Sequence, residues 1–189
     1  TEVTCGLDRP IVVGHMVGEV EPERLVRNER ASPGDDLLLT KGIAIEGTAL
    51  LAHEKADELQ RHLPSDALER ARGFLREPGL SVVPEAVAVC RAILPHALHD
   101  PTEGGLATGL RELAEASGVG LEVAAEAIPV LPLTRRVCEA LALDPLGLIA
   151  SGALLIAARP EAEDAILNAL RRGGIDAAGI GRGATGSEG

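Results

Sequence analysis

Short apolar runs of strand length alternate along this chain with longer stretches whose apolar residues recur at helical spacing. That alternation restricts the fold more than any other feature. Residues 36–40 read DLLLT and residues 153–158 read ALLIAA, continuous runs of the kind that form strands covered on both faces. Further strands are expected over 11–20, which is rich in valine between Pro10 and Pro22, and over 97–100, 119–125 and 175–180. The spacing of Ile45, Ala49, Ala52, Ala56, Leu59 and Leu63 predicts a helix over about 45–62, ended by Pro64. Ser65 or Asp66 can cap a second helix to about Arg76, and Pro84 can open a third to Leu94. Helices are also expected from Gly104 to Ser117, over 133–141 and over 160–172. The reading is one α/β (α+β) domain over 1–181, a three-layer mixed sheet covered by helices. Residues 182–189 form a frayed, glycine-rich tail. The 153–180 unit is strand–helix–strand, with a right-handed crossover if its strands are parallel.

One run departs from ordinary helix chemistry. His99-Asp100-Pro101-Thr102-Glu103-Gly104-Gly105-Leu106 places two glycines where an amphipathic helix opens. Each glycine costs about 1 kcal/mol relative to alanine inside a helix. Close approach of the backbone, by an anion or by another chain segment, would offset that cost, since a helix start presents unpaired N–H groups and the positive end of its dipole. Asp100 or Thr102 can cap the helix, so a capped and tightly packed start explains those residues without a ligand. A second glycine-bearing turn, Ser151-Gly152, precedes the ALLIAA strand; it offers a hydroxyl and a permissive backbone, or serves simply as a turn or bulge. In a third, Thr40-Lys41-Gly42-Ile43-Ala44-Ile45-Glu46-Gly47, Lys41 could meet a phosphate as a point charge, and Glu46 could complement a helix dipole.

Composition excludes several functions. Phe74 is the only aromatic residue, so the core is built from Leu, Val, Ile and Ala, and aromatic platforms for bases or sugars are almost excluded. A net charge of −11 argues against nucleic acid, and Arg24, Arg27 and Arg30 are interleaved with Glu21, Glu23 and Glu29 as on a solvated surface. Cys5, Cys90 and Cys138 form no CxxC pair and suggest neither a zinc site nor a disulfide framework; His96 and His99 lack a third ligand, and no metal site is expected. No apolar run reaches the ~20 residues of a membrane span and no signal peptide is visible, so a cytoplasmic protein with no membrane partner is expected. The nucleotide-binding GxxxxGK[ST] and the hydrolase signatures HExxH and GxSxG are absent.

The segments HDPTEGGLATGLRELAEASGVGLEV, SPGDDLLLTKGIAIEGTALLAHE and DPLGLIASGALLIAARPE occur in order. Together they resemble the C-terminal domain of the aminoimidazole ribonucleotide synthetase superfamily, and their wording is most similar to hydrogenase maturation factors of the HypE type. The resemblance implies a three-layer α/β domain with a partly ferredoxin-like arrangement. It also implies a preceding N-terminal domain, absent from this chain, whose aspartates hold magnesium and ATP and whose pairing forms a homodimer. The implied chemistry is ATP-dependent phosphorylation of an amide or carbamoyl oxygen, followed by displacement or dehydration. In the hydrogenase branch the carbamoyl group is carried on a C-terminal cysteine, whereas this sequence ends RGATGSEG, with Cys138 its last cysteine.

By the same resemblance, Asp100, Thr102, Gly104, Gly105, Ser151 and Gly152 line a cleft facing the missing domain, joined by Lys41, Gly42 and Glu46. They would orient substrate or phosphate and would not abstract protons. The domain alone is expected to be inactive, with no cofactor of its own, and a maturation protein is an expected partner. The other readings are a free-standing domain that binds a protein or small anion, and part of a thiamine-monophosphate kinase. Gly104→Val and Gly105→Val are expected to abolish turnover while sparing the fold.

Overall fold

The three leucines of DLLLT lie at the centre of the molecule. In the computed structural model, which describes Gly6 and residues 13–185, they form strand β1 (Asp36–Thr40), and Leu37, Leu38 and Leu39 are wholly buried. Strands β2 (Ala97–His99), β3 (Gly120–Val123), β4 (Leu155–Ala158) and β5 (Ala177–Ala184) complete a five-stranded sheet in the order β2-β4-β1-β5-β3. Every neighbouring pair is antiparallel. β4 and β5 point the same way but are not paired, because β1 is inserted between them; the sheet is therefore wholly antiparallel and not mixed as expected. Local sequence predicts the unit; only pairing across the sheet reveals the insertion.

Alternation along β1 divides the core. Leu37 and Leu39, with Leu155, Ala157 and Ile180, pack against Leu106 and Leu113 of helix α5 (Gly105–Ser117). Leu38, with Ile156 and Ala158, packs on the other face against Val89 of α4 (Val83–Ala92) and Ile166 and Leu170 of α7 (Glu163–Arg172). Helices on both faces give the expected three layers. Helices α1 (Ile45–Glu54), α2 (Ala56–Leu59), α3 (Ser65–Arg72) and α6 (Pro132–Leu141) bury Ala52, Leu59, Ala67, Leu68 and Val137 in a smaller cluster of their own.

Four local expectations are corrected. Over 13–20 the chain forms no strand; Val13, Met16 and Val17 are more than four-fifths exposed, because valine content supplies no partner for the backbone groups of a strand. Residues 11 and 12 lie outside the described part. The helix expected over 45–62 breaks at Lys55 into α1 and α2 while keeping its buried spacing. Neither Ser65 nor Asp66 caps α3, which starts behind Pro64 and gives way to a 3-10 turn at Gly73–Leu75. The strand expected to stop at Ile180 continues through Arg182 to Ala184, so those residues are not a tail. The Gly183 N–H donates to Asp35 O at 2.7 Å, and the Arg182 guanidinium reaches Asp36 Oδ1 at 3.0 Å. Residues 186–189 lie outside the described part.

Candidate functional site

The three glycine-bearing turns meet around one loop. Residues 146–152 are wedged between the first turns of α1 and α5. Gly47 N–H donates to Ile149 O at 3.1 Å, and Ala150 N–H donates to Thr102 O at the same distance. Gly104 (φ 76°) is the N-cap of α5, and Gly105 (φ 68°) also lies in the left-handed region. A Cβ at Gly105 would collide with Leu146 O and come within 2.6 Å of Leu148 O, both backbone atoms. Of the two explanations for the glycine pair, approach by another chain segment is the one realised at Gly105. Valine there would damage the fold, contrary to expectation. The α5 N-cap is Gly104 itself, a residue with no capping side chain, in place of Asp100 or Thr102.

Gly152 is likewise structural: at φ 108°, a Cβ would stand 2.8 Å from Gly79 O. At Gly42 a Cβ would come 3.1 Å from Pro129 O, the acceptor for the Ile43 N–H. Lys41 is committed as well. Its Nζ forms an ion pair with Glu85 Oε1 at 2.7 Å and donates to Ser81 O at 2.9 Å and Gly79 O at 3.2 Å. Two carbonyls and a buried carboxylate engage the ammonium, so its charge is already paired within the fold. Lys41 (φ 55°) and Ala44 (φ 56°) both occupy the left-handed region, at about 1–2 kcal/mol each for residues with a Cβ. The ion pair and the Lys41 N–H to Asp176 O bond (2.7 Å) hold this turn, and Ala44 O accepts from Thr48 Oγ1 at 2.6 Å.

The remaining candidates differ in kind. Among the described residues, the side chains of Glu46, Asp100, Thr102 and Ser151 have no hydrogen-bond partner, and none is fully buried. Asp100 is exposed as a whole, yet partial burial of its carboxyl pushes its pKa up. Neighbouring His99 and Lys41 pull it back, while Glu46 and Glu85 push it further up. Asp100, Glu46, Lys41 and Glu85 therefore share one electrostatic neighbourhood. Sequence reasoning missed Glu85: it reads as a first-turn acidic residue of α4, and nothing local signals its pairing with Lys41.

The other titratable candidates are occupied or inert. His96 Nδ1 bonds the buried Asp35 at 2.9 Å while Nε2 accepts from Arg159 Nε at 3.1 Å, which puts the His96 proton on Nδ1. The His99 ring bonds Asn28 and Glu112. No group of three or more potential metal ligands occurs among the described residues. Burial raises the pKa of both Cys90 and Cys138, with Asp144 and Glu139 adding to the rise at Cys138. Cys5 lies outside the described part.

Residues 32–188 match the C-terminal domain of the AIR synthase related proteins. The chain belongs to that family. It is 35% identical over 157 residues to the carbamoyl dehydratase HypE of Cupriavidus necator, spanning 82% of this chain and 41% of that protein. A crystal structure of the hydrogenase maturation protein HypE in complex with ATP superposes with a TM-score of 0.66 at 28% identity, covering 90% of this chain and 48% of that one. The HypE–HypF complex gives 0.61 at 25% identity, covering 85% and 50%. Thiamine-monophosphate kinase from Stenotrophomonas maltophilia gives 0.69 at 22% identity, covering 89% and 53%, a likeness of fold alone. The chain spans about half the length of the relatives it matches. Among the described residues no helix is long and apolar enough to cross a membrane.

Proposed function

We propose that this family member is the substrate-facing C-terminal half of an ATP-dependent dehydratase or synthetase of the hydrogenase maturation type. Its N-terminal half would carry ATP and Mg²⁺ and form the homodimer. The observation that carries the reading is the division among the candidate residues. Gly42, Gly105, Gly152 and Lys41 build a rigid turn cluster, while Glu46, Asp100, Thr102 and Ser151 present unengaged polar groups beside it. A preorganised scaffold with free donors and acceptors suits positioning, the main demand of phosphoryl transfer.

When bound in the other half, ATP would supply the phosphoryl group that turns an amide or carbamoyl oxygen into a leaving group. Thr102 and Ser151 can each donate one hydroxyl hydrogen bond to that oxygen or its phosphate, and Asp100 and Glu46 can accept from an amide nitrogen. The similarity to HypE supports this branch, and the HypE–HypF complex supports a maturation protein as partner. The test is Mg²⁺-dependent ATP turnover by the native full-length protein. Turnover lowered by Ser151→Ala and Thr102→Ala at an unchanged melting temperature is expected. A native protein with no ATP-binding half and no turnover would overturn the reading in favour of a free-standing binding domain.

A further inference from the structure

Four large apolar side chains within eight residues stand in water. Val13, Met16, Val17 and Val20 are 86%, 93%, 82% and 55% exposed, and a Cβ added at Gly14 or Gly18 would meet nothing within 4 Å. No backbone hydrogen bond joins residues 13–20 to another described residue. Apolar residues exposed singly are ordinary, whereas a run of them marks a contact surface. The run lies upstream of the matched family domain, which begins at Ser32. The likeness to ATP-bound HypE covers 90% of this chain, more than that domain supplies, so it extends upstream of Ser32. The joining segment is pinned: Asn28 Nδ2 donates to His99 Nδ1 at 2.9 Å, and Arg30 Nη1 donates to Leu25 O at 2.8 Å. The upstream chain is therefore led off the domain from a fixed point beside β2, whose His99 adjoins Asp100.

We propose that residues 13–20 pair as a strand with the preceding half of the same protein, with Met16 and Val20 buried in that half. Successive side chains of an extended chain point to opposite faces. Gly14, Met16, Gly18 and Val20 share a face without a polar group, whereas the other face carries His15 and Glu19 between its valines. The first face is the one to bury, and its two glycines let another backbone approach closely. The run is continuous with the chain of that half, so its docking needs no bimolecular encounter. A second copy of this chain would have to be held by eight residues, well short of the roughly 20–30 per side of a stable interface. The inference rests on the ATP-dependent reading and deepens it: the pinned segment around Asn28 sets the ATP-carrying half on the Asp100 side of the turn cluster.

The test is amide hydrogen exchange at residues 13–20, in this chain and in the native full-length protein. Exchange in the full-length protein is expected to be slowed by about a hundredfold or more, and in this chain not at all. In the full-length protein Met16→Asp should cut that protection about tenfold or more and lower the melting temperature, while Glu19→Gln should do neither. Both variants should leave the urea midpoint of this chain unchanged. Unprotected amides in a full-length protein that turns over ATP would overturn this proposal and leave the proposed function standing. So would a Met16→Asp variant that keeps its protection, or a Glu19→Gln variant that loses as much. Protection in this chain that grows with its concentration would give the run to a second copy, and a Met16→Asp loss of midpoint in this chain would give it to the domain described here; either result overturns the proposal. Absence of both ATP turnover and protection would overturn the two readings together. Should Met16→Asp fail to fold, the exchange comparison between the two parent proteins decides the question.

Discussion

Replacing Gly105 by alanine separates two reasons for a glycine at the start of α5. Its φ of 68° costs any residue with a Cβ about 1–2 kcal/mol. The new methyl would also press on the carbonyl oxygens of Leu146 and Leu148, backbone atoms that cannot swing aside, and such overpacking costs about 1–3 kcal/mol more. The total is about 2–5 kcal/mol. Gly118, the C-cap of the same helix, is the natural control: its φ is 70°, but a Cβ there would meet nothing within 4 Å. Gly118→Ala should therefore lose only the conformational part, about 1–2 kcal/mol. Urea unfolding measures both, as shifts in midpoint at constant slope. Equal losses in the two variants would refute the reasoning, since the approach of residues 146–148 would then contribute nothing.

Three further outcomes are expected. Lys41→Met should destabilise the fold by about 3–5 kcal/mol by stranding the buried Glu85, and the double variant Lys41→Met, Glu85→Leu should recover most of that in the same assay. Asp100 holds its proton more firmly folded than unfolded, so its contribution is fully favourable below its unfolded pKa and is lost as pH rises through its raised folded value. Asp100→Asn should remove that slope from unfolding curves measured against pH, leaving the variant more stable than the parent at neutral pH. In the native full-length protein, Ser151→Ala should lower ATP turnover in steady-state kinetics by about tenfold or more, as loss of a hydrogen bond to a reacting oxygen does.

What could be read from the sequence was whatever depends on near neighbours. DLLLT is a strand because a continuous apolar run must be covered on both faces. The start and end of α5 are marked by Gly104 and Gly118, which adopt the left-handed backbone conformation that other residues enter only at a cost. The candidate site was legible only as a set of glycine-bearing turns in a particular order, and the structure brings those turns together. Their individual roles were not legible. Lys41 reads as a free charge until Glu85 pairs with it and Gly79 O and Ser81 O accept from it, and Gly105 reads equally as an anion site or a packing contact until residues 146–148 press on it. Residues 13–20 carry strand composition without a partner, while Arg182–Ala184, part of a polar glycine-rich stretch, find one in β3. Local preferences and hydrophobic periodicity specify elements, whereas pairing, burial of charge and backbone contact belong to residues distant in sequence, and only the tertiary structure chooses among those.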